Sequence, residues 1–181
     1  MRARSTLGLV VALLLLAVSG ADAAITTVNS TADHGADACD SECTLRDAIA
    51  AAQPNDTIAF AANVTGTITL TTGALVIGKP LVIAGPGARL LAVSGNNASR
   101  VFFINRNITA TISGLTVRDG AAGSLPGLLA TERYGGGIFN DGNLTLLDCR
   151  VTANVAGADN NNGAAEGAGI MNYIASTLVA R

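Results

Sequence analysis

The chain has 181 residues, of which 13% are charged and 3% aromatic; tryptophan is absent and the formal charge is −2. A weakly acidic chain with no Lys/Arg cluster argues against nucleic acid or anionic lipid as partners. Val, Ile, Leu and Phe recur in short blocks that need burial, which argues against a disordered polymer.

The first element is a leader. Arg2 and Arg4 form a positive start, and Leu7 to Val18 is an apolar run too short to span a bilayer comfortably. Small residues follow, with Ala21 and Ala23 in an A-x-A arrangement. That order reads as a secretory signal peptide over residues 1–23, cut after Ala23. Removing Arg2, Arg4 and Asp22 leaves 9 basic and 12 acidic residues, a formal charge of −3. No later stretch is apolar enough to form a membrane-spanning helix.

Residues 24–55 form an N-terminal cap. Cys39 and Cys43 lie in an acidic, loop-like stretch of an exported chain, where a local disulfide is expected. So small a loop is stabilised by roughly 2 kcal/mol at most. A metal pair is the weaker reading. His34 is the only histidine, and Asp33, Asp37 and Asp40 are hard donors that match thiolates badly. As a group the three aspartates suit a Ca²⁺ site less well than a solvated acidic loop, which is the expectation. Thr44-Leu45-Arg46-Asp47-Ala48-Ile49-Ala50-Ala51-Ala52 predicts the one helix, with Thr44 as cap and Asp47 closing a capping box. Leu45, Ala48, Ile49 and Ala52 share its apolar face, which is suited to covering the open end of a stack.

Residues 56–181 are repetitive. Short β-branched strands are expected at Thr57–Phe60, Ile68–Leu70, Leu75–Ile77, Leu81–Ile83 and Val101–Ile104, with glycine turns between them. Gly135-Gly136-Gly137-Ile138-Phe139-Asn140 recurs 32 residues later as Gly167-Ala168-Gly169-Ile170-Met171-Asn172. Thr111-Ile112-Ser113-Gly114-Leu115-Thr116-Val117 recurs 34 residues later as Thr145-Leu146-Leu147-Asp148-Cys149-Arg150-Val151. Units of about thirty residues with loops of unequal length, such as Asp159 to Gly163, describe a solenoid of stacked strands.

The alignment assigns single residues. Ile112, Leu115 and Val117 face inward, as do Leu146, Cys149 and Val151. Cys149 then occupies a leucine position and is expected to be a free, buried thiol without a nucleophile's role. Asn140 and Asn172, with Asn105 as a third member, either hydrogen-bond along the stack as a ladder or are unconnected turn residues; the ladder is the expectation.

Cys43-Thr44-Leu45-Arg46-Asp47-Ala48 resembles the Cys-Ser-Leu-Arg-Glu-Ala motif of bacterial CSLREA-domain proteins, differing at Thr44 and Asp47. Val28 to Asp33 before it and Asp56 to Phe60 after it fit the same pattern. Gly135 to Asn140 and Asn154-Val155-Ala156 resemble the repeats of polymorphic outer-membrane and pectate-lyase-like proteins. The resemblance covers nearly all of residues 25–181. It implies an all-β fold, a right-handed parallel β-helix with a short N-terminal capping helix, on a bacterial protein exported to the surface or beyond. It transfers activity poorly.

Catalysis has little to stand on. A polysaccharide lyase needs clustered carboxylates and a base, and a glycosidase needs paired acids. Asp119, Glu132, Asp141, Asp148, Asp159 and Glu166 are isolated along the stack, and Arg118 and Arg150 read as solvated surface charge. Asp159-Asn160-Asn161-Asn162-Gly163 fails as a Ca²⁺ loop because glycine falls where an oxygen ligand is required. No catalytic, cofactor or metal residue is assigned. The expected role is a secreted or surface scaffold or adhesin, with a polysaccharide or cell-surface ligand as partner; the alternative is the N-terminal part of a pectate-lyase-like polysaccharide-degrading enzyme without its catalytic coils. The repeats stop within a unit at Arg181, so the chain is expected either to continue or to associate end to end.

Overall fold

A computed structural model describes residues 23–35, 38–123, 134–157, 167–173 and 176–181. Residues 1–22 of the expected leader, Asp37, Glu132, the Asp159–Gly163 loop and Glu166 lie outside the described residues. In chain order, the described elements are β1 (Ile25–Val28), α1 (Leu45–Ala51), β2 (Thr57–Phe60), β3 (Gly66–Thr69), β4 (Leu75–Ile77) and β5 (Leu81–Ala84). They continue with β6 (Leu91–Ser94), β7 (Phe102–Ile104), β8 (Thr109–Ser113), β9 (Thr116–Arg118) and β10 (Ile138–Asn140). The last are β11 (Asn143–Leu147), β12 (Arg150–Thr152), β13 (Ile170–Asn172) and β14 (Thr177–Ala180).

These strands form three sheets, ordered β1-β2-β5-β8-β11-β14, β3-β6-β9-β12 and β4-β7-β10-β13, and every pairing is parallel. The all-β, parallel character expected from the sequence is the character of the structure. From β2 onward the chain enters the sheets in a fixed rotation, one strand in each, before returning to the first.

Both sequence self-matches are strand pairs in the same register. Thr145 lies beside Thr111, Val151 beside Val117, Ile138 beside Ile170 and Asn140 beside Asn172. Because alternate residues of a strand face opposite ways, a parallel in-register pairing places like beside like. Ile58, Ile83, Ile112 and Leu146 make one inward column, and Ile68, Val93 and Val117 a second. Leu75, Phe102 and Ile138 make a third. All ten are buried and form the core.

Turns carry the left-handed residues. Gly114 has φ +59°, and Asp148, its equivalent one unit later, has φ +50°. Asp148 therefore sits in the turn between β11 and β12 rather than on a strand; its short polar side chain tolerates that conformation.

Helix α1 stands against the start of the sheets. Its cap is the predicted one: Thr44 Oγ1 accepts from Asp47 N–H at 3.1 Å, and Asp47 Oδ2 accepts from Thr44 N–H at 3.1 Å. Leu45, Ala48 and Ile49 are buried, and the helix packs beside β1 and β4. Strand β4 is the outer strand of its sheet, so the helix covers an edge that would otherwise expose unpaired backbone groups.

Candidate functional site

The densest polar constellation among the described residues centres on Arg46, in the first turn of α1. Its Nε donates to Asp33 Oδ1 at 2.8 Å and its Nη2 to Asp33 Oδ2 at 3.2 Å, a two-pronged ion pair. The same guanidinium reaches Gly73 O at 2.7 Å and Ala74 O at 3.2 Å, in the turn before β4. Asp33 Oδ2 also accepts from Thr71 N–H at 2.6 Å. The Asp33 side chain is 1% exposed. Burial works against its charge, but the Arg46 hydrogen bonds and the Thr71 and Thr72 N–H groups outweigh it and hold its pKa below the ordinary carboxylate value. This corrects the expected solvated acidic loop at Asp33, which is an enclosed ion-pair partner, whereas Asp40 is exposed to solvent. Among the described residues no three His, Cys, Asp or Glu side chains converge as a ligand set.

Beside this ion pair a cleft of about 320 Å³ runs between α1 and β4, lined by Arg46, Ile49, Ala50, Leu75, Val76 and Lys79. It is an apolar trough with a cation at each end. Both cations are engaged: Lys79 Nζ donates to Ala50 O at 2.9 Å and Ala52 O at 2.7 Å, at the C-terminal end of α1 where carbonyls lack helical partners. A ligand there would meet donors already committed to holding the helix, and no carboxylate lines the trough to move a proton.

A second constellation, which the sequence reading missed, lies on the outward face of β4, β7, β10 and β13. Val76, Phe103, Phe139 and Met171 stand side by side in register. The Phe103 and Phe139 rings stack with centroids 5.2 Å apart and planes 6° from parallel, and Tyr173 tilts against Phe139 at 5.5 Å. The Arg100 guanidinium lies 5.6 Å from the Phe103 centroid and 5.3 Å from the Phe139 centroid. Phe139 points outward yet is 1% exposed. Its alignment with Phe103 was legible had the Val101–Ile104 strand been matched to the Gly135 repeat.

The asparagine ladder exists as a pair. Asn140 Nδ2 donates to Asn172 Oδ1 at 2.7 Å and lies 3.0 Å from Thr177 O, while Asn140 Oδ1 accepts from Gly142 N–H at 3.1 Å. Asn140 is fully buried and continues the inward Ile77–Ile104 column, with these bonds satisfying its amide. Asn105 is not a third member: Ile104 is the residue beside Asn140, and Asn105 falls in the turn after β7.

Cys39 and Cys43 are joined by a disulfide, Cα–Cα 4.3 Å. Cys149 is free but half-buried rather than buried. Its equivalent Leu115 is fully enclosed, whereas Cys149 is only partly buried against the same core. The thiol lies 3.4 Å from Ile112 O and 3.4 Å from Leu147 O. Burial pushes its pKa up, so it stays a protonated, unreactive thiol at neutral pH.

The isolated acids each have local work or none. Arg106 Nε donates to Asp141 Oδ2 at 3.1 Å. Arg118 pairs with Asp119 and reaches Thr67 Oγ1 at 3.2 Å, so it is tied down rather than freely solvated. Arg150 and Asp148 are exposed. Compared with family models, curated proteins and solved structures, the chain matches none.

Proposed function

We propose that the chain forms a right-handed parallel β-helix with the character of the CSLREA-domain proteins, exported to a bacterial surface or beyond, and serves as a scaffold or adhesive element rather than a catalyst. The observation that carries this reading is the fixed rotation of the chain through three parallel sheets with in-register inward columns. One strand per sheet per unit is the path of a coil, and coils of unequal length stacked in register display side chains in rows. The Arg46–Asp33 pair and the Lys79 bonds support the scaffold role, because these charges hold the helix to the first units instead of facing a substrate. The rows on the outer sheet faces are the natural contact surface for a polysaccharide or another cell-surface ligand.

The test is a paired assay on secreted protein. Pectin and related polymers, with and without Ca²⁺, should yield no unsaturated uronate above blank, while the protein should be retained on an insoluble polysaccharide or on cells. Sustained uronate release would overturn the scaffold reading in favour of a lyase.

A further inference from the structure

The first strand begins beside the expected cleavage point, and the contact made there has a particular chemistry. Ala24 N lies 2.8 Å from Asp56 Oδ1, and Ala24 O accepts from Thr57 N–H at 2.8 Å. These two bonds set the register of β1 on β2, where Ile25 pairs with Thr57. Asp56 is itself held firmly: its Oδ2 accepts from Gln53 N–H at 2.7 Å, its backbone carbonyl accepts from Val82 N–H at 3.0 Å, and it is 5% exposed. A carboxylate pinned at the foot of the first strand therefore faces one particular backbone nitrogen, and that nitrogen follows the A-x-A site directly.

We propose that the α-ammonium group created when the leader is cut after Ala23 is captured by the Asp56 carboxylate, so that processing completes the first unit of the fold. This rests on the export reading above. Hydrolysis of the Ala23–Ala24 amide by a signal peptidase adds one water across the C–N bond. Ala23 leaves with the leader as a carboxylate, and Ala24 keeps the nitrogen, which takes up a proton at neutral pH. An amide offers Asp56 one neutral donor, whereas the ammonium offers three and a full positive charge. Lys79, the chain's single lysine, is the other charged group that bears on Asp56. It is present before and after cleavage, so it cancels in any comparison of the two forms.

The sign of the pH dependence follows. An α-amine titrates near 7.7–8.0 in an unfolded chain, and a facing carboxylate raises that value in the folded one. The stabilisation is fully present below the unfolded value and is lost as pH rises through the folded value.

The experiment compares mature protein bearing a free Ala24 amine with the same chain Nα-acetylated at Ala24, by thermal unfolding between pH 6 and 10. The free-amine form should melt about 2–4 °C higher at pH 6–7, and the gap should close toward pH 10. Asp56→Asn, which removes the charge and keeps one acceptor oxygen for one of the two N–H groups, should abolish the gap. If that variant does not fold, the wild-type pair at the two pH extremes decides alone. Equal melting temperatures at pH 6–7, or a gap that persists unchanged to pH 10, would overturn the capture. A secreted protein whose N-terminal sequence starts elsewhere than Ala24 would overturn it by removing the cleavage it depends on.

Discussion

At Arg46 one guanidinium ties together three segments that are far apart in sequence: the stretch around Asp33, the first turn of α1, and the Gly73–Ala74 turn. Arg46→Ala strands the Asp33 carboxylate in a site with 1% of its side chain exposed. Loss of one partner of a buried ion pair costs roughly 3–5 kcal/mol, and urea unfolding should show a drop of that order. Arg46→Lys should recover only part, because an ammonium cannot make the two-pronged contact. The Asp33 pKa is depressed, so the pair's contribution is complete above about pH 4 and is lost as pH falls through the folded value. Wild-type stability should therefore fall steeply on acidification, and the Arg46→Ala profile should be flatter over the same range. A loss under about 1 kcal/mol for Arg46→Ala would show the pair to be an ordinary surface contact. None of this was legible beforehand. Arg46 was visible as a motif residue and Asp33 as one acid of three, but no periodicity joins a loop residue to a helix residue thirteen positions on. Asn105 failed for the opposite reason, since a plausible spacing was off by one and Ile104 holds the position beside Asn140.

Among the elements, the turns set how closely adjacent units approach. A Cβ on Gly114 would lie 2.6 Å from Gly85 O, and the residue has φ +59°. Gly114→Ala therefore combines a left-handed backbone penalty with a main-chain clash and should lower stability by about 2–4 kcal/mol. Gly73, with φ +96°, has no atom within 4 Å of its hypothetical Cβ. Gly73→Ala should cost only the backbone part, about 1–2 kcal/mol. Denaturant titration of the two variants separates crowding from conformation, and equal losses would mean that the Gly85–Gly114 approach is loose. Elements with their own local signature were readable. Helix α1 announced itself through Thr44 and Asp47, and β2 and β4 have the bounds their apolar runs indicated. Strand β3 starts two residues early, at Gly66, because pairing with β6 through Leu91 extends it past the apolar run.

Across the whole molecule, the last two intervals in the largest sheet are equal. Thr111 pairs with Thr145 and Thr145 with Val179, each 34 residues on. The first of these intervals is the sequence match of Thr111–Val117 with Thr145–Val151; the second is set by the pairing of β11 with β14. The earlier intervals are shorter and unequal, with Thr57 beside Val82 and Val82 beside Thr111, so no fixed period runs through the first units and the first sheet rows could not be aligned by eye. The structure supplies those registers, and they predict spacings between residues far apart in sequence. Thr57, Val82, Thr111 and Thr145 form a single row across four adjacent parallel strands. With strands about 4.8 Å apart, Thr57 and Thr145 should stand about 14–15 Å apart at the backbone. The most direct measurement of the central claim is electron paramagnetic resonance on spin-labelled cysteine pairs, in a Cys149→Ser background with the Cys39–Cys43 bridge kept oxidised. Labels at Thr111 and Thr145 should broaden each other strongly, and labels at Thr57 and Thr145 should give a narrow distribution near the three-strand spacing once label length is included. A narrow Thr111–Thr145 spectrum, or a Thr57–Thr145 distance of about 30 Å or more, six strand spacings, would contradict the stacked parallel architecture.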